Sequence, residues 1–451
     1  MDRETVTPDV DSFPGENANE WVEYHKEHAA PSTYVYDFVW NSIDDAIGPF
    51  CKDVDGNVLM DMTAHVGANT LGYNNPKILD QLDEMFEGLP FDPTKIAGQD
   101  FYVASGETPD KSEFPNPSVL MDRLTDISSH YDMDTVFLSN SGAEAVENAI
   151  KIAYHDTDGK YGITFEGAFH GRTLGTLSLN RSKGIYREKF PEISSIETVP
   201  FCRDSGCSRE TCSCGFFTRG GESMLEKYVG SKSGQMNPEE IAYIILEPIQ
   251  GEGGYYVPSQ QFMKEVARIA DKHDIYVISD EVQAGFGRSG EWWGADNYAI
   301  EPDIIAAAKP ARVGVTLANS SVFPEKKSRL SSTWGAGDIV ATAQGVATIN
   351  AIEEYNLMEN ALTKGNDLSA EIRGIDTDLI SEVRDEGLMI GVEFIDKSSQ
   401  DEVVDVALEH GLMLLSCGQK TIRVLPPLDV TDREIDLFID LFNSVLEEVE
   451  E

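Results

Sequence analysis

Short continuous apolar runs alternate with stretches whose apolar residues recur every three or four positions, and this alternation organises the middle of the chain. The run MDTVFLSN, ending at residue 140, predicts a buried strand. SGAEAVENAIKIAYHD follows at once and predicts a helix with an apolar stripe of Val146, Ile150 and Ala153, closed by Asp158-Gly159. KYGITFEG is the next strand, and the apolar runs IAYIILEPI and IYVISDEV flank the helical stretch PSQQFMKEVARIADKH. Helices between continuous apolar runs need crossover connections, so the pattern predicts a mainly parallel sheet covered by helices on both faces.

The two ends read differently. Residues 1–32 are polar, carry Pro8, Pro14 and Pro31, and predict an arm with a short helix around WVEYHKEHA. A hairpin follows, turning at Asp55-Gly56. Towards the other end, a helical run over residues 339–355 leads into GLMIGVEFI, a further helix, GLMLLSCG, TIRVLPPL and a last helix after Thr431, the pattern of a smaller α+β domain. The expected division is an arm and part of the small domain over residues 1–85, a large domain over 86–335 and a C-terminal small domain over 336–451.

Composition adds a medium and removes some partners. The 451 residues hold 35 Lys+Arg against 79 Asp+Glu, a net charge of −44, which leaves no clustered positive surface for nucleic acid. With 41% hydrophobic residues the chain can still build a large core, so the acidity is expected on the outside. Dispersed acidity with scarce lysine resembles proteins of salt-loving microbes, in which salt screens the self-repulsion; an ordinary acidic enzyme is the alternative. No apolar stretch is long enough for a membrane span, and the first residues lack the basic and apolar regions of a signal peptide, so a cytoplasmic protein is expected.

Candidate chemistry falls at strand ends. Ser141, Gly142 and Ala143 open the helix after the first strand, where free N–H groups suit a phosphate, although a serine there is also an ordinary cap. Phe169 and His170 lie between glycines in GAFHGRT; an ordinary loop with a core phenylalanine is the alternative. Asp280 ends a strongly apolar strand, where a carboxylate faces the crevice in which parallel sheets bind ligands and could hold a protonated ring nitrogen. Lys309 stands alone after PDIIAAA and could form an imine with a carbonyl, or snorkel from a sheet edge.

Eight pieces in order, DVDGNVLMDM, SNSGAEAVENAIKIA, FEGAFHGRT, LEPIQGEGG, ISDEVQAGFGRSG, PDIIAAAK, STWGAG and RVLPPLDVT, resemble the class III, or omega, aminotransferases of the pyridoxal-phosphate fold-type I superfamily. The resemblance implies a seven-stranded, mainly parallel sheet in the large domain, pyridoxal 5'-phosphate as cofactor, and a homodimer with shared sites. It places Lys309 as the cofactor-bearing lysine and proton shuttle, and Asp280 on the pyridine nitrogen. Gln283 falls on the ring's phenolic oxygen, Ser141, Gly142 and Ala143 on the phosphate, and Phe169, backed by His170, on the ring face. Glu247 falls near the cofactor as an orienting group, and Thr333 on the phosphate of the partner's site. Arg423 and Glu252 match a switchable pair that binds the α-carboxylate of 2-oxoglutarate or screens the arginine when a substrate presents its distal amine; a structural ion pair is the alternative.

The resemblance implies transfer of an amino group from an ω- or α-amino acid of lysine, ornithine, 4-aminobutyrate or acetylornithine type to 2-oxoglutarate. Racemisation or 2,1-aminomutation on the same cofactor is one rival, and a non-catalytic metal-binding scaffold another. Two departures stand out. Where the family commonly has a glycine-rich turn after the lysine, this chain has Pro310-Ala311-Arg312-Val313-Gly314, which with Ser332-Thr333-Trp334-Gly335 is closer to the lysine 6-aminotransferase branch. Cys202, Cys207, Cys212 and Cys214 crowd one segment where the family does not commonly carry such a cluster; they could hold zinc or an iron–sulfur centre, stay free or form disulfides.

Overall fold

The computed structural model describes every residue except 33–37, 42–44, 88–115, 231–235 and 334. The chain forms two compact units: Lys77–Glu359, and Met1–Pro76 together with Asn360–Glu451.

The larger unit is built on a seven-stranded sheet in the order Thr135–Ser139, Gly314–Ala318, Ile304–Ala307, Tyr276–Asp280, Ile241–Leu246, Tyr161–Phe165, Ile196–Val199. Only Gly314–Ala318 runs against its neighbours. Every residue of Ile241–Leu246 is buried, which is why that strand reads as an unbroken apolar run. Side chains alternate between faces: Tyr243 and Ile245 join the cluster containing Val146, Ile150 and Ala153 of the helix Gly142–Asp156. Ile244 and Leu246 join the cluster containing Phe262, Met263, Val266 and Ile269 of the helix Gln260–His273. Helices thus cover both faces, as the pattern predicted, and the strands' carboxyl ends are left for ligands.

The helix Ile339–Glu354, read from sequence as the start of the C-terminal domain, belongs to the larger unit. It is buried on nearly all sides, so its periodicity does not reveal which body it serves. A Cβ at its Gly345 would lie 2.7 Å from the Ala311 carbonyl oxygen, so glycine permits a close approach to the turn after Lys309.

In the smaller unit, Phe50–Lys52 and Val58–Asp61 form the expected hairpin, and Leu412–Met413 adds a parallel strand that joins the two chain ends. A second, antiparallel sheet takes the order Ile380–Glu386, Met389–Phe394, Thr421–Val424, Leu415–Cys417. The N-terminal arm is held rather than loose: Arg3 lies 2.9 Å from Asp429 and 2.7 Å from Glu434.

Candidate active site

Asp280 is the last residue of its strand, and its register partner on the adjacent parallel strand is Ala306, three residues before Lys309. Both chemically distinctive groups therefore leave the sheet at the same edge. The Asp280 carboxylate is buried; its Oδ1 accepts the Val282 N–H at 3.1 Å and its Oδ2 lies 2.8 Å from His170 Nδ1. The histidine backbone N–H is fixed on Asn180 Oδ1 at 2.7 Å. Among the described residues, His170 Nε2 and Gln283 Oε1 are buried with no hydrogen-bond partner, two polar atoms that a bound polar group could satisfy. The loop bearing Lys309 is closed by an Arg312 N–H to Lys309 carbonyl bond of 3.1 Å, and the lysine is half-buried.

Next to this edge, Ser141 caps the helix Gly142–Asp156 by accepting the Glu144 N–H at 3.2 Å, and Glu144 Oε2 takes the Asn140 N–H at 2.8 Å. The N–H groups of Gly142 and Ala143 have no carbonyl within their own helix and carry the positive end of its dipole. A Cβ on Gly142 would lie 2.8 Å from the Val282 side chain, so the helix start can sit against the Asp280 strand only with glycine there.

Glu247 is the keystone of the loops around the ring position. Its Oε1 accepts the Phe169 N–H and its Oε2 the Gly251 N–H, each at 2.9 Å. Burial, with Asp280 close by, pushes its carboxyl up to about 7, against the pull of His170 and the two N–H donors. Phe169 is half-buried and packs edge-on against Tyr186 at 5.5 Å. These groups fit pyridoxal phosphate: an anion-binding helix start, a buried carboxylate for a ring nitrogen, an amide for a ring oxygen, an aromatic face and a lysine.

The comparisons agree. The Aminotransferase class-III family pattern matches residues 36–446. The chain is 31% identical to an acetylornithine aminotransferase of Archaeoglobus fulgidus over 94% of this chain and 99% of that one. The chain belongs to the class-III aminotransferases. A further similarity, 28% identity over 96% of this chain and 91% of the other, is to an alanine/serine racemase of Pyrococcus horikoshii. Among solved structures, a lysine aminotransferase from M. tuberculosis superposes with a TM-score of 0.79 at 25% identity, covering 96% of this chain and 99% of that one. The protein is a pyridoxal-phosphate-dependent aminotransferase that takes its amino group from an ω- or α-amino acid.

In this aminotransferase Glu252 accepts from Lys183 Nζ at 2.7 Å and from Tyr186 Oη at 3.0 Å. Neither partner is singled out by the sequence reading, although three cations in SKGIYREK of so acidic a chain are a usable signal. Thr333 is exposed and its carbonyl accepts the Ala336 N–H at 2.9 Å; the neighbouring Trp334 lies outside the described residues. Arg423 belongs to the smaller unit, on Thr421–Val424 opposite Gly391 and Leu415, and its Nη2 donates to the Ser416 carbonyl at 2.9 Å.

The smaller unit also holds a feature with no sequence signal. Ala64, His65 and Val66 have φ of 41°, 49° and 60°, a left-handed turn that costs on the order of 1–3 kcal/mol per non-glycine residue. Asp61 Oδ1 over-determines it by accepting both Thr63 N–H and Oγ1 at 2.7 Å, while Tyr73 Oη donates to Asp61 Oδ2 at 2.8 Å. A cavity of about 740 Å³ elsewhere in the larger unit is lined by Asp271, Glu291, Asp296 and Glu301, carboxylates that would repel a phosphate.

Glu281, adjacent to Asp280, is structural: its carboxylate accepts Gly294 N–H at 2.7 Å and Ala295 N–H and Ser279 Oγ at 2.9 Å, and burial pushes it up to about 7. Unfolded, such a group titrates at about 4.3, so between the two values the folded state binds more protons and stability falls as pH rises. Glu247 acts in the same direction. At constant high salt, Tm is expected to fall by several degrees between roughly pH 5 and 8 and then level off. A calorimetric Tm that rises across this interval would contradict the burial of these carboxylates.

Proposed function

We propose that the amino donor is an ω-amino or α-amino acid of lysine, ornithine, 4-aminobutyrate or acetylornithine type, that 2-oxoglutarate is the acceptor, and that the working enzyme is a cytoplasmic homodimer adapted to a salt-rich medium. The observation carrying the site assignment is the emergence of Asp280 and Lys309 from adjacent parallel strands at one sheet edge, with the Ser141 helix start beside them. Bound there, pyridoxal phosphate supplies a carbonyl carbon for amines and a protonated ring that accepts the electron pair left when the substrate loses a proton.

The residues do the rest. Lys309 Nζ would hold the cofactor and, once free, would carry a proton to and from the substrate's reacting carbon. Asp280, kept in place by His170 and the Val282 N–H, would hold a proton on the ring nitrogen. Ser141 and the N–H groups of Gly142 and Ala143 would bind the phosphate, the Gln283 amide would meet the ring oxygen, and Phe169 would cover one ring face. Glu247 positions the loops bearing Phe169 and Gly251 and is no base. Thr333, exposed in the single chain, serves the partner's phosphate in the dimer. Arg423 takes the α-carboxylate of 2-oxoglutarate, and Glu252, supported by Lys183 and Tyr186, screens that arginine when a distal amine enters.

The test is a donor panel of lysine, ornithine, 4-aminobutyrate and acetylornithine with 2-oxoglutarate at high salt, on the wild type and on Arg423→Ala and Arg423→Lys. A charge-assisted hydrogen bond is worth about 1.5–3 kcal/mol, so Arg423→Ala should slow the 2-oxoglutarate half-reaction about 10- to 100-fold. The half-reaction with an amine lacking an α-carboxylate should change little, and Arg423→Lys should recover part of the loss. Equal losses in both half-reactions would contradict the carboxylate role. Similarity to an alanine/serine racemase favours racemisation as the second reading, and that reaction proceeds without an oxo acid.

A further inference from the structure

Between the strand Ile196–Val199 and the helix Met224–Val229, residues 200–223 contain no helix or strand, only an isolated bridge between Phe217 and Ser223. Segments longer than about 12–15 residues without regular structure are uncommon in a compact domain unless something ties them together. This one carries four of the chain's six cysteines, all of them free. The sulfurs of Cys202, Cys207 and Cys214 lie within 4.8 Å of one another; Cys207 and Cys214 are 3.7 Å apart, and Cys212 and Cys214 3.3 Å. A disulfide needs about 2.0 Å. Four sulfurs at about 2.3 Å from a tetrahedral zinc are about 3.8 Å from each other; Cys202, Cys207 and Cys214 approach that spacing, and Cys212 lies outside their trio, beside Cys214.

We infer that Cys202, Cys207, Cys212 and Cys214 form a closed zinc site that staples this segment to the body of the aminotransferase. The surroundings suit thiolates. The Phe217 N–H donates to Cys212 Sγ at 3.3 Å, and the N–H groups of Gly215 and Phe216 support Cys212 and Cys214. Cys202 and Cys207 are fully buried against Phe201, Phe216, Phe217 and Phe262, so the sulfurs cannot all ionise together without a cation among them.

Binding replaces four S–H protons by one Zn²⁺, releasing four protons and leaving a centre of charge −2 with no change of oxidation state. Arg209 and Arg219 line a cleft of about 480 Å³ with Cys212 and can offset that charge. Four thiolates leave no open coordination position, which assigns the ion to structure and not to transamination. It would order the segment against Ser259, which lies 3.6 Å from Cys202 Sγ and caps the helix Gln260–His273.

The test uses the full chain purified with reductant at high salt. Elemental analysis should find one zinc per chain, and exchange into Co²⁺ should give the visible spectrum of a tetrahedral four-thiolate site. Cys214→Ser should lower zinc content about tenfold or more and Tm by about 5–10 °C, with turnover per folded enzyme within about twofold of wild type. Because that variant may not fold, the Co²⁺ spectrum of the unaltered chain decides the matter by itself. Absence of zinc with all thiols open to a thiol reagent, a mass reduced by the hydrogens lost to disulfides, or iron in place of zinc would each overturn the assignment.

Discussion

Lys309→Ala should abolish transamination while the protein stays folded and binds the cofactor without a covalent link. General acid–base catalysis alone contributes about 10²–10⁴-fold, and the loss of covalent attachment adds to it, so turnover should fall by at least about 10⁴-fold. Lys309 is half-buried in a turn after the strand Ile304–Ala307, not in the core, so the truncation leaves no packed cavity. The measurement is single-turnover glutamate formation, with mass spectrometry after borohydride reduction to look for a cofactor–protein adduct. Adduct in the wild type and none in the variant is the expected pair of results. Turnover close to wild type in Lys309→Ala would remove the lysine from the chemistry.

Asp280→Asn should leave the shape of the site intact and take away the charge proposed to keep a proton on the ring nitrogen. Removing one preorganised electrostatic partner in a water-poor site typically costs about 10²–10³-fold in kcat, and a loss of that order is expected here. The substitution also alters the partner of His170 Nδ1, held 2.8 Å from Asp280 Oδ2, so the histidine should lose any dependence on the carboxylate's charge. His170→Asn, which keeps the Asp280 side chain and removes its imidazole partner, should cost less than Asp280→Asn. The reverse order, measured as kcat for the same donor, would make His170 and not Asp280 the group facing the ring.

How much of this was legible follows from burial. Strands such as Ile241–Leu246 announce themselves because both faces are covered and no polar residue interrupts them. Ile196–Val199, a sheet edge with mixed exposure, and Gly314–Ala318, a buried strand in which Gly314 and Thr316 interrupt the apolar residues, carry no such unbroken run and are not legible as strands. The helix Ile339–Glu354 is legible as a helix, but the unit it packs in is not, since a helix buried on nearly every side has no polar face to orient it. At the site, residues at strand ends and helix starts, Asp280, Ser141 and Lys309, could be picked out because local pattern marks those positions. Lys183 and Tyr186, which hold Glu252, meet it only through the fold, at a separation of more than sixty residues. The Ala64–Val66 turn is invisible to propensity because a valine at positive φ is what sequence rules argue against.

The central claim is that this chain carries an amino group from a donor amino acid to 2-oxoglutarate. Its most direct test supplies the best donor of the panel with ¹⁵N at the reacting amine, adds unlabelled 2-oxoglutarate at high salt, and follows the label by mass spectrometry. The account predicts one ¹⁵N in glutamate for each oxo product formed, no label transfer without 2-oxoglutarate, and none with Lys309→Ala. Interconversion of donor enantiomers without an oxo acid, with no label reaching glutamate, would contradict it.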